Sequence, residues 1–474
     1  MQDNKTALNI GWGRADITPI GEICKKVSLV GQFEERITDK VRDHIYATAL
    51  ALDSHEDKAI IVSADLASVT DELMCAVREK LEKAAPDFPP ELLVITATHS
   101  HTGPYLSRND LSRVWGERFF WANSDPDVVT PEAYLEFAAE KIAHAASKAW
   151  NSRAAGSIAT AFGRVAVPHC RRVRYKDGSA AMYGNTDTES FLRIEGAADT
   201  GVEYIAAFDK TGAMTGVVIN LACPAQVLES QNYISADLWG EVRRQWPECG
   251  YILPLCGAAG DIAMRDLVRR GRNEGNMHEA DGMEQQAGRI VRESKFVLSG
   301  IKCGDTSKLK HITGKISLPL RTVTEEEYIK AKAKYDEIEN RLAEYPPDDF
   351  EDSIPLPKRD RTAYASAAGV LCRWELQAKQ NCIAAEIHVL RIGDVAIATN
   401  PFELYQDYGM RIKARSPANQ TLIAQLGCGS FNYVPTAYSI AGGSYGSGIS
   451  DGFTGPEGGD MLVEKTLDMI KCLF

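Results

Sequence analysis

Several features common in other protein classes are missing from this chain. No apolar run approaches the roughly 20 residues a membrane-spanning helix needs, so no transmembrane segment is expected. No basic cluster is dense enough to track phosphates, and the net charge is −12. That excludes nucleic acid as a natural partner. The 11 cysteines are scattered without a CxxC pair, which argues against both a disulfide framework and a cysteine-type zinc site. There is no internal repeat. The start, Met1-Gln-Asp-Asn-Lys5, lacks an apolar signal core. A cytoplasmic location is expected if nothing was removed, a periplasmic or secreted one if a signal was. What remains is an ordinary globular composition, 44% hydrophobic and 25% charged over 474 residues, with ample material for a core. Length alone would suggest two or three domains.

The stretch Glu91-Leu-Leu-Val-Ile-Thr-Ala-Thr-His-Ser-His-Thr-Gly-Pro104 stands out. Its first half is apolar and β-branched, as in a strand buried on both faces. Its second half turns polar and carries His99 and His101. Extended residues two apart point the same way, so both imidazoles are expected on one side of the strand's carboxyl end. Neutral imidazoles held there suit a metal. They equally suit a pair of loop histidines bonded to backbone.

Ala59–His101 reads as strand, helix, strand, with Asp71 capping a helix to Ala85 and apolar residues at Leu73, Val77 and Leu81. This favours a parallel pair with ligands outside the strands' carboxyl ends, which places Asp65, His99 and His101 on one rim. Gly11 and Gly13 in the first strand suggest close backbone approach. Residues 105–130 form a loop rich in aromatics (Trp115, Phe119, Phe120, Trp121), read as a satellite core. Pro131–Trp150 and Gly282–Leu298 read as helices. Thr324 with Glu327 forms a capping box opening a long helix. Ala363–Gln380 is its partner, so a helical hairpin, about 322–380, is inserted in the sheet domain. Asn400-Pro-Phe-Glu403 turns into a helix to about Ala414, and Gly427–Gly459 is a glycine-dense loop expected to be mobile or ordered by ligand. The fold class is α/β: a mixed sheet with a largely parallel core, helices packed on it, and the inserted hairpin. Asp16, Asp65, Asp237 and Asp261 sit at expected strand ends or turns, and some of them read as turn-capping or supporting groups. His44, His55, His144, His278, His311 and His388 have no motif around them.

The motifs Gly11-Trp-Gly-Arg-Ala-Asp-Ile-Thr-Pro19, Ala97-Thr-His-Ser-His-Thr-Gly-Pro104, Gly257-Ala-Ala-Gly-Asp261, Asn400-Pro-Phe-Glu403 and Tyr433-Val-Pro-Thr436 occur in that order across nearly the whole chain. As an ordered set they resemble the catalytic domain of the neutral/alkaline, non-lysosomal ceramidase family, in a divergent bacterial form. The resemblance implies a single catalytic domain over 1–474, without the family's C-terminal immunoglobulin-like domain. It implies a zinc-dependent hydrolase of the N-acyl bond of ceramide, acting on a lipid or small molecule. One zinc ion would be held by His99, Glu403 and Tyr433. His101, Arg171 and Tyr445 would be catalytic.

Two positions depart from the family's pattern. Its second zinc histidine lies in a motif like Asn-x-Ala-Cys-His-Pro, but here the segment is Asn220-Leu-Ala-Cys-Pro-Ala-Gln226. Its serine after Gly-Asp-x is Ala263. Cys223 could complete the metal site as a thiolate, or be a small buried apolar residue. Three readings stay open: the amidase; the same fold acting on a more polar or anionic substrate, suited by the arginines near 171 and at 264–272; and a ligand-binding homologue without catalysis. Arg171, Arg172 and Arg174 otherwise read as a solvated face, and Glu403 as a helix-dipole partner.

Overall fold

The structure is a computed structural model. It describes residues 8–33, 35–54, 56–106, 125–269, 277–301, 308–344 and 358–474. The aromatics Trp115–Trp121, His55, and Arg270 and Arg272 lie outside the described residues.

Two sheets form the frame. The larger has eight strands: β1 (Leu8–Asp16), β2 (Tyr46–Asp53), β3 (Lys58–Ala64), β4 (Leu93–Ala97), β5 (Ala154–Arg164), β6 (Gly201–Asp209), β7 (Met214–Leu221) and β8 (Tyr251–Cys256). Their order is β8-β7-β6-β5-β1-β2-β3-β4. The expected class stands, a mixed sheet with helices packed on it, but the parallel share is smaller than expected. Parallel pairing is confined to the two ends, β7/β8 and β3/β4; every pair between them is antiparallel. The continuous apolar runs that read as parallel strands arise because both faces of this sheet are covered, whatever the strand direction.

The second sheet, β9 (Leu309–Pro319), β10 (Cys382–Ile392), β11 (Val395–Thr399) and β12 (Gln420–Ala424), is ordered as numbered. Leu309, Leu390, Ile392, Val395, Ile397 and Leu422 share one core with Ile60, Ile61, Leu93 and Ile95 of the large sheet. Asn220, buried at the end of β7, ties the sheets by donating to the carbonyls of Leu255 and Ile423 at 3.0 and 2.8 Å.

The connection from β3 to β4 is the expected helix, α1 (Asp71–Ala84). Its cap is Thr70 rather than Asp71: Thr70 Oγ1 accepts from Leu73 N at 3.2 Å. Asp71 instead sits in the first turn, where its charge complements the helix dipole. The alanine-rich α2 (Pro131–Asn151) packs against β1 and β2. Its approach requires the two glycines of β1, since a Cβ at Gly11 or Gly13 would lie 2.0 Å from the carbonyl oxygen of Ala149 or Ala145. Helices α3 (Asp237–Gln245) and α4 (Glu279–Leu298) pair beside β5.

The hairpin lies between the paired strands β9 and β10. It consists of α5 (Glu325–Leu342), opened by the expected Thr324–Glu327 capping box, and α6 (Lys358–Gln377). Stacked rings hold it together, Tyr328 on Trp374 and Tyr335 on Tyr364, each with centroids 4.8 Å apart. Helices α7 (Gln406–Arg415) and α9 (Pro456–Leu473) pack together beside the second sheet, and the short α8 (Ala437–Gly442) precedes α9. Among the described residues no helix is long and apolar enough to cross a membrane.

The 427–459 segment, expected to be mobile or ligand-ordered, is tied down by the protein itself. The buried Arg172 guanidinium donates to the carbonyls of Ser439, Gly443 and Tyr445, and Asp451 accepts from Gly446 N and Gly448 N.

Candidate active site

β4 ends at Ala97, and His99 has φ +64°. The chain therefore turns where sequence reasoning had it extended. The two imidazoles still meet, because the turn folds one ring edge against the other, with centroids 4.9 Å apart at 79°.

His99 is buried, and its Nδ1 lies 2.6 Å from the Ala67 carbonyl. A carbonyl only accepts, so Nδ1 carries a proton. The other ring nitrogen, Nε2, faces Glu403 Oε2 at 3.1 Å.

Glu403 was expected at a helix start. It lies instead in a two-residue strand, Glu403–Leu404, paired in parallel with Tyr433–Val434 so that Glu403 stands opposite Tyr433. Helix α7 begins only at Gln406, so the helix-dipole role does not apply. Buried Gln425 holds the strand in place by accepting from Leu404 N at 3.0 Å. Burial pushes the Glu403 carboxyl up, but His99, Arg171 and Tyr433 outweigh it and hold the group below its ordinary value. Burial first, then the Glu403 charge, push the Tyr433 phenol well up, so it stays protonated beside that carboxylate.

Arg171, Arg172 and Arg174 are all buried, not a solvated face. A short pairing of His169–Cys170 with Ile262–Ala263 sets Arg171 in place. Its Nη2 donates to the Gly260 carbonyl at 2.8 Å and to Tyr433 Oη at 3.2 Å. Arg172 and Arg174 are paired with Glu195. Arg265 lies against His278, and Arg269 pairs with Asp266. Every described arginine of these groups thus has a protein partner.

His101 is kept neutral, well below its ordinary value, by burial and then by His99 and the cations Arg36 and Arg171. Its Nε2 is 2.8 Å from Gln226 Nε2. The Gln226 Oε1 and His101 Nδ1 are buried without a hydrogen-bond partner; Nδ1 lies 3.9 Å from Glu229. A glutamine amide has a donor and an acceptor, so it can meet either imidazole tautomer. Gln226 went unassigned in the sequence, although it ends the very segment that lacks the second histidine. Glu229 and Arg36 carried no sequence signal at all. Arg36 fixes the site's outer edge by donating to the carbonyls of Val30 and His101, both at 2.6 Å.

Tyr445 sets its ring edge against Tyr433, centroids 5.5 Å apart, and is 41% exposed. His99, His101, Glu403, Tyr433 and Tyr445 line one cavity of about 500 Å³. Apolar Val30, Phe33, Leu106, Leu426 and Phe453 line it too, and Thr362, Ala365 and Ser366 of α6 complete a wall.

Cys223 does not join them. It is buried away from the cavity lining, and its carbonyl accepts from the Cys256 thiol. Burial pushes its own thiol well up, so it behaves as a small core residue. Its sulfur, His99 and Glu403 do not all come within 4.8 Å of one another. Among the described residues one group of His, Cys, Asp and Glu does so and could hold a metal ion: Glu386, His388 and Cys428. None of the three lines the cavity.

All four aspartates, some of which were expected to cap turns or support other groups, are tied into the fold. Asp16 caps Thr18 N, Asp65 pairs with Arg243, Asp237 accepts from Val227 N and Leu228 N, and Asp261 accepts from Gln406 N.

No family model and no curated protein matches this sequence. Among solved structures, the chain is similar over 99% of its length to the crystal structure of neutral ceramidase from Pseudomonas aeruginosa, at 16% identity and a TM-score of 0.67, covering 74% of that chain. It is similar, at the same identity and TM-score, to a ceramidase complexed with C2, covering 99% of this chain and 75% of that one. The resemblance read from the ordered motifs is met by the fold: the chain is built as neutral ceramidase is built.

Proposed function

We propose that this chain is a metal-assisted hydrolase of N-acyl bonds, with a lipid or small-molecule amide as substrate. The observation that carries the reading is the convergence on one cavity of an imidazole, a carboxylate and a phenol drawn from residues 99, 403 and 433. The donors suit zinc. His99 Nε2 and Glu403 Oε2 face each other at 3.1 Å, which requires a cation or a proton between them. That span suits one zinc ion with bonds of about 2.0–2.2 Å to each. The Ala67 carbonyl fixes the His99 tautomer that a metal ligand needs.

His99, Glu403 and Tyr433 would hold the ion. When bound, it supplies a water of lowered pKa and a Lewis acid for the acyl carbonyl. His101, neutral and in the cavity wall, takes the proton from the attacking water and passes it to the leaving nitrogen. Gln226 steadies the ring in either tautomer. Tyr445, at the exposed end of the cavity, donates to the oxyanion that develops on the acyl oxygen. Arg171 acts behind Tyr433 as a positioning residue. Ser366, Ser430, Asn432, Ser444, Ser450 and Asp451 also line the cavity, which favours a substrate bearing hydroxyls beside its amide. Arg172 and Arg174 are paired with Glu195 and so are not open to an anionic substrate.

Hydrolysis of a panel of ceramides and N-acyl amino sugars by the zinc-loaded protein tests this. His99→Ala and Glu403→Gln are expected to lower kcat/KM by at least about 10³-fold, of the order seen when metal-held or electrostatic catalysis is removed. Tyr445→Phe should lower kcat with little change in KM. Unchanged turnover in His99→Ala, or no turnover of any amide by the loaded protein, would refute the proposal.

A further inference from the structure

Between the two sheets, outside the cavity, lies a buried chain of polar groups. His311 Nδ1 faces the Lys58 carbonyl at 3.3 Å, so it carries the ring proton and leaves His311 Nε2 as an acceptor. That atom is 2.9 Å from His388 Nδ1, which must therefore be the donor. His388 Nε2 faces Glu386 Oε1 at 2.9 Å and donates a second ring proton to that carboxylate. Thr313 Oγ1, 3.4 Å from the same nitrogen, gives its proton to the Ile387 carbonyl. Cys428 completes the group, its sulfur within 4.8 Å of the other two ligand atoms.

An ion bound here would take the place of the proton between His388 and Glu386, with the Cys428 sulfur as its third neighbour. The donor set of imidazole, carboxylate and sulfur is that of a zinc-class ion. Each member also has outer support of the kind that orients ligands. His311 holds His388. Arg78 forks onto both oxygens of Glu386. Cys428 takes a left-handed backbone, φ +59°, and donates its N–H to the Ile95 carbonyl at 3.0 Å. A non-glycine residue in that conformation is strained, and here the strain serves to turn the thiol inward.

We propose that Glu386, His388 and Cys428 form a second, structural site for a zinc-class divalent ion. On binding, the thiol proton is released and the sulfur ligates as thiolate. The ion pins β10 to the segment that runs from Cys428 to Tyr433, and so holds the phenol of the cavity in register from five residues away. The site is separate from the one on His99, Glu403 and Tyr433, which has no sulfur ligand.

The test uses the full chain, stripped with a chelator and reloaded with Co²⁺. A thiolate-to-cobalt charge-transfer band is expected in the wild type and equally in His99→Ala. It should vanish in Cys428→Ser, which should also hold one fewer ion per chain. Should Cys428→Ser fail to fold, X-ray absorption of the zinc-loaded wild type reads the same question, with a sulfur neighbour expected at about 2.3 Å. Bound cobalt with no thiolate band, a band surviving in Cys428→Ser, or a first shell of only nitrogen and oxygen would overturn the proposal. Loss of amide hydrolysis alone would leave it standing.

Discussion

Gly31→Ala tests how His101 is held. Gly31 has φ +97°, and a Cβ there would lie 2.3 Å from Cγ and 2.6 Å from Nδ1 of His101. The variant meets two costs. The first is conformational, about 1–2 kcal/mol for an L-residue forced to positive φ. The second is displacement of the imidazole from its packed position in the cavity wall. Losing its bond to Gln226 costs about 0.5–1.5 kcal/mol, with about 1–3 kcal/mol more if the buried amide is left unsatisfied. The sum is about 1.5–3.5 kcal/mol, rising to about 2.5–6.5 kcal/mol if the amide is left unsatisfied.

Gly212→Ala supplies the reference. Gly212 has φ +83° with nothing within 4 Å of its would-be Cβ, so it meets only the conformational cost. Urea denaturation should place Gly31→Ala below Gly212→Ala by at least about 1 kcal/mol. The double variant Gly31→Ala/His101→Ala should show a favourable coupling of similar size, since the ring that clashes is gone. Amide hydrolysis should fall in Gly31→Ala and stay intact in Gly212→Ala. Equal stabilities for the two glycine variants, or no coupling in the double variant, would show that His101 is not confined as described.

Two further outcomes follow from other parts of the fold. Gly13→Ala should destabilise by about 1–3 kcal/mol or more, since strand or helix must shift to relieve a 2.0 Å contact. Because the atom met is the Ala145 carbonyl oxygen, Ala145→Gly should not rescue it; rescue in a denaturation series would refute the assigned contact. Asp237, fully buried, is pushed by burial from 3.8 up to about 6 despite three backbone donors. Its unfolded value is the lower one, so its contribution to stability is complete below about 3.8 and is lost as pH rises through about 6. That loss is of the order of 3 kcal/mol. Denaturation of wild type and Asp237→Asn from pH 4 to 7 should show the variant losing less stability on the way up; parallel profiles would rule the assignment out.

The residue types of the cavity were legible in the sequence, and their meeting was not. His99 and His101 announce themselves in the eight-residue stretch Ala97–Pro104, and Thr324 with Glu327 announces a helix start, because those signals are local and act through the chain's own geometry. The β3–α1–β4 unit was legible for the same reason. The mostly antiparallel centre of the large sheet was not, since apolar runs record burial on both faces and carry no strand direction. Glu403 read as a helix residue because Pro401 precedes it. Its true place in a strand depends on Tyr433, thirty residues away, and on the side chain of Gln425.

Tertiary structure also decided which charges are available. Arg172 and Arg174 looked like part of an exposed basic face until Glu195 and the carbonyls of α8 and the residues after it took up their donors. Likewise His388, in a stretch with no motif, acquires partners from the neighbouring strand β9 and from the segment at Cys428, which lies far off in sequence. Composition and periodicity settled what kind of elements this chain would form and which reactive groups it carries. Which of those groups share a cavity was settled by pairings between distant segments, where the free energy comes from burial and register that no short window of sequence contains.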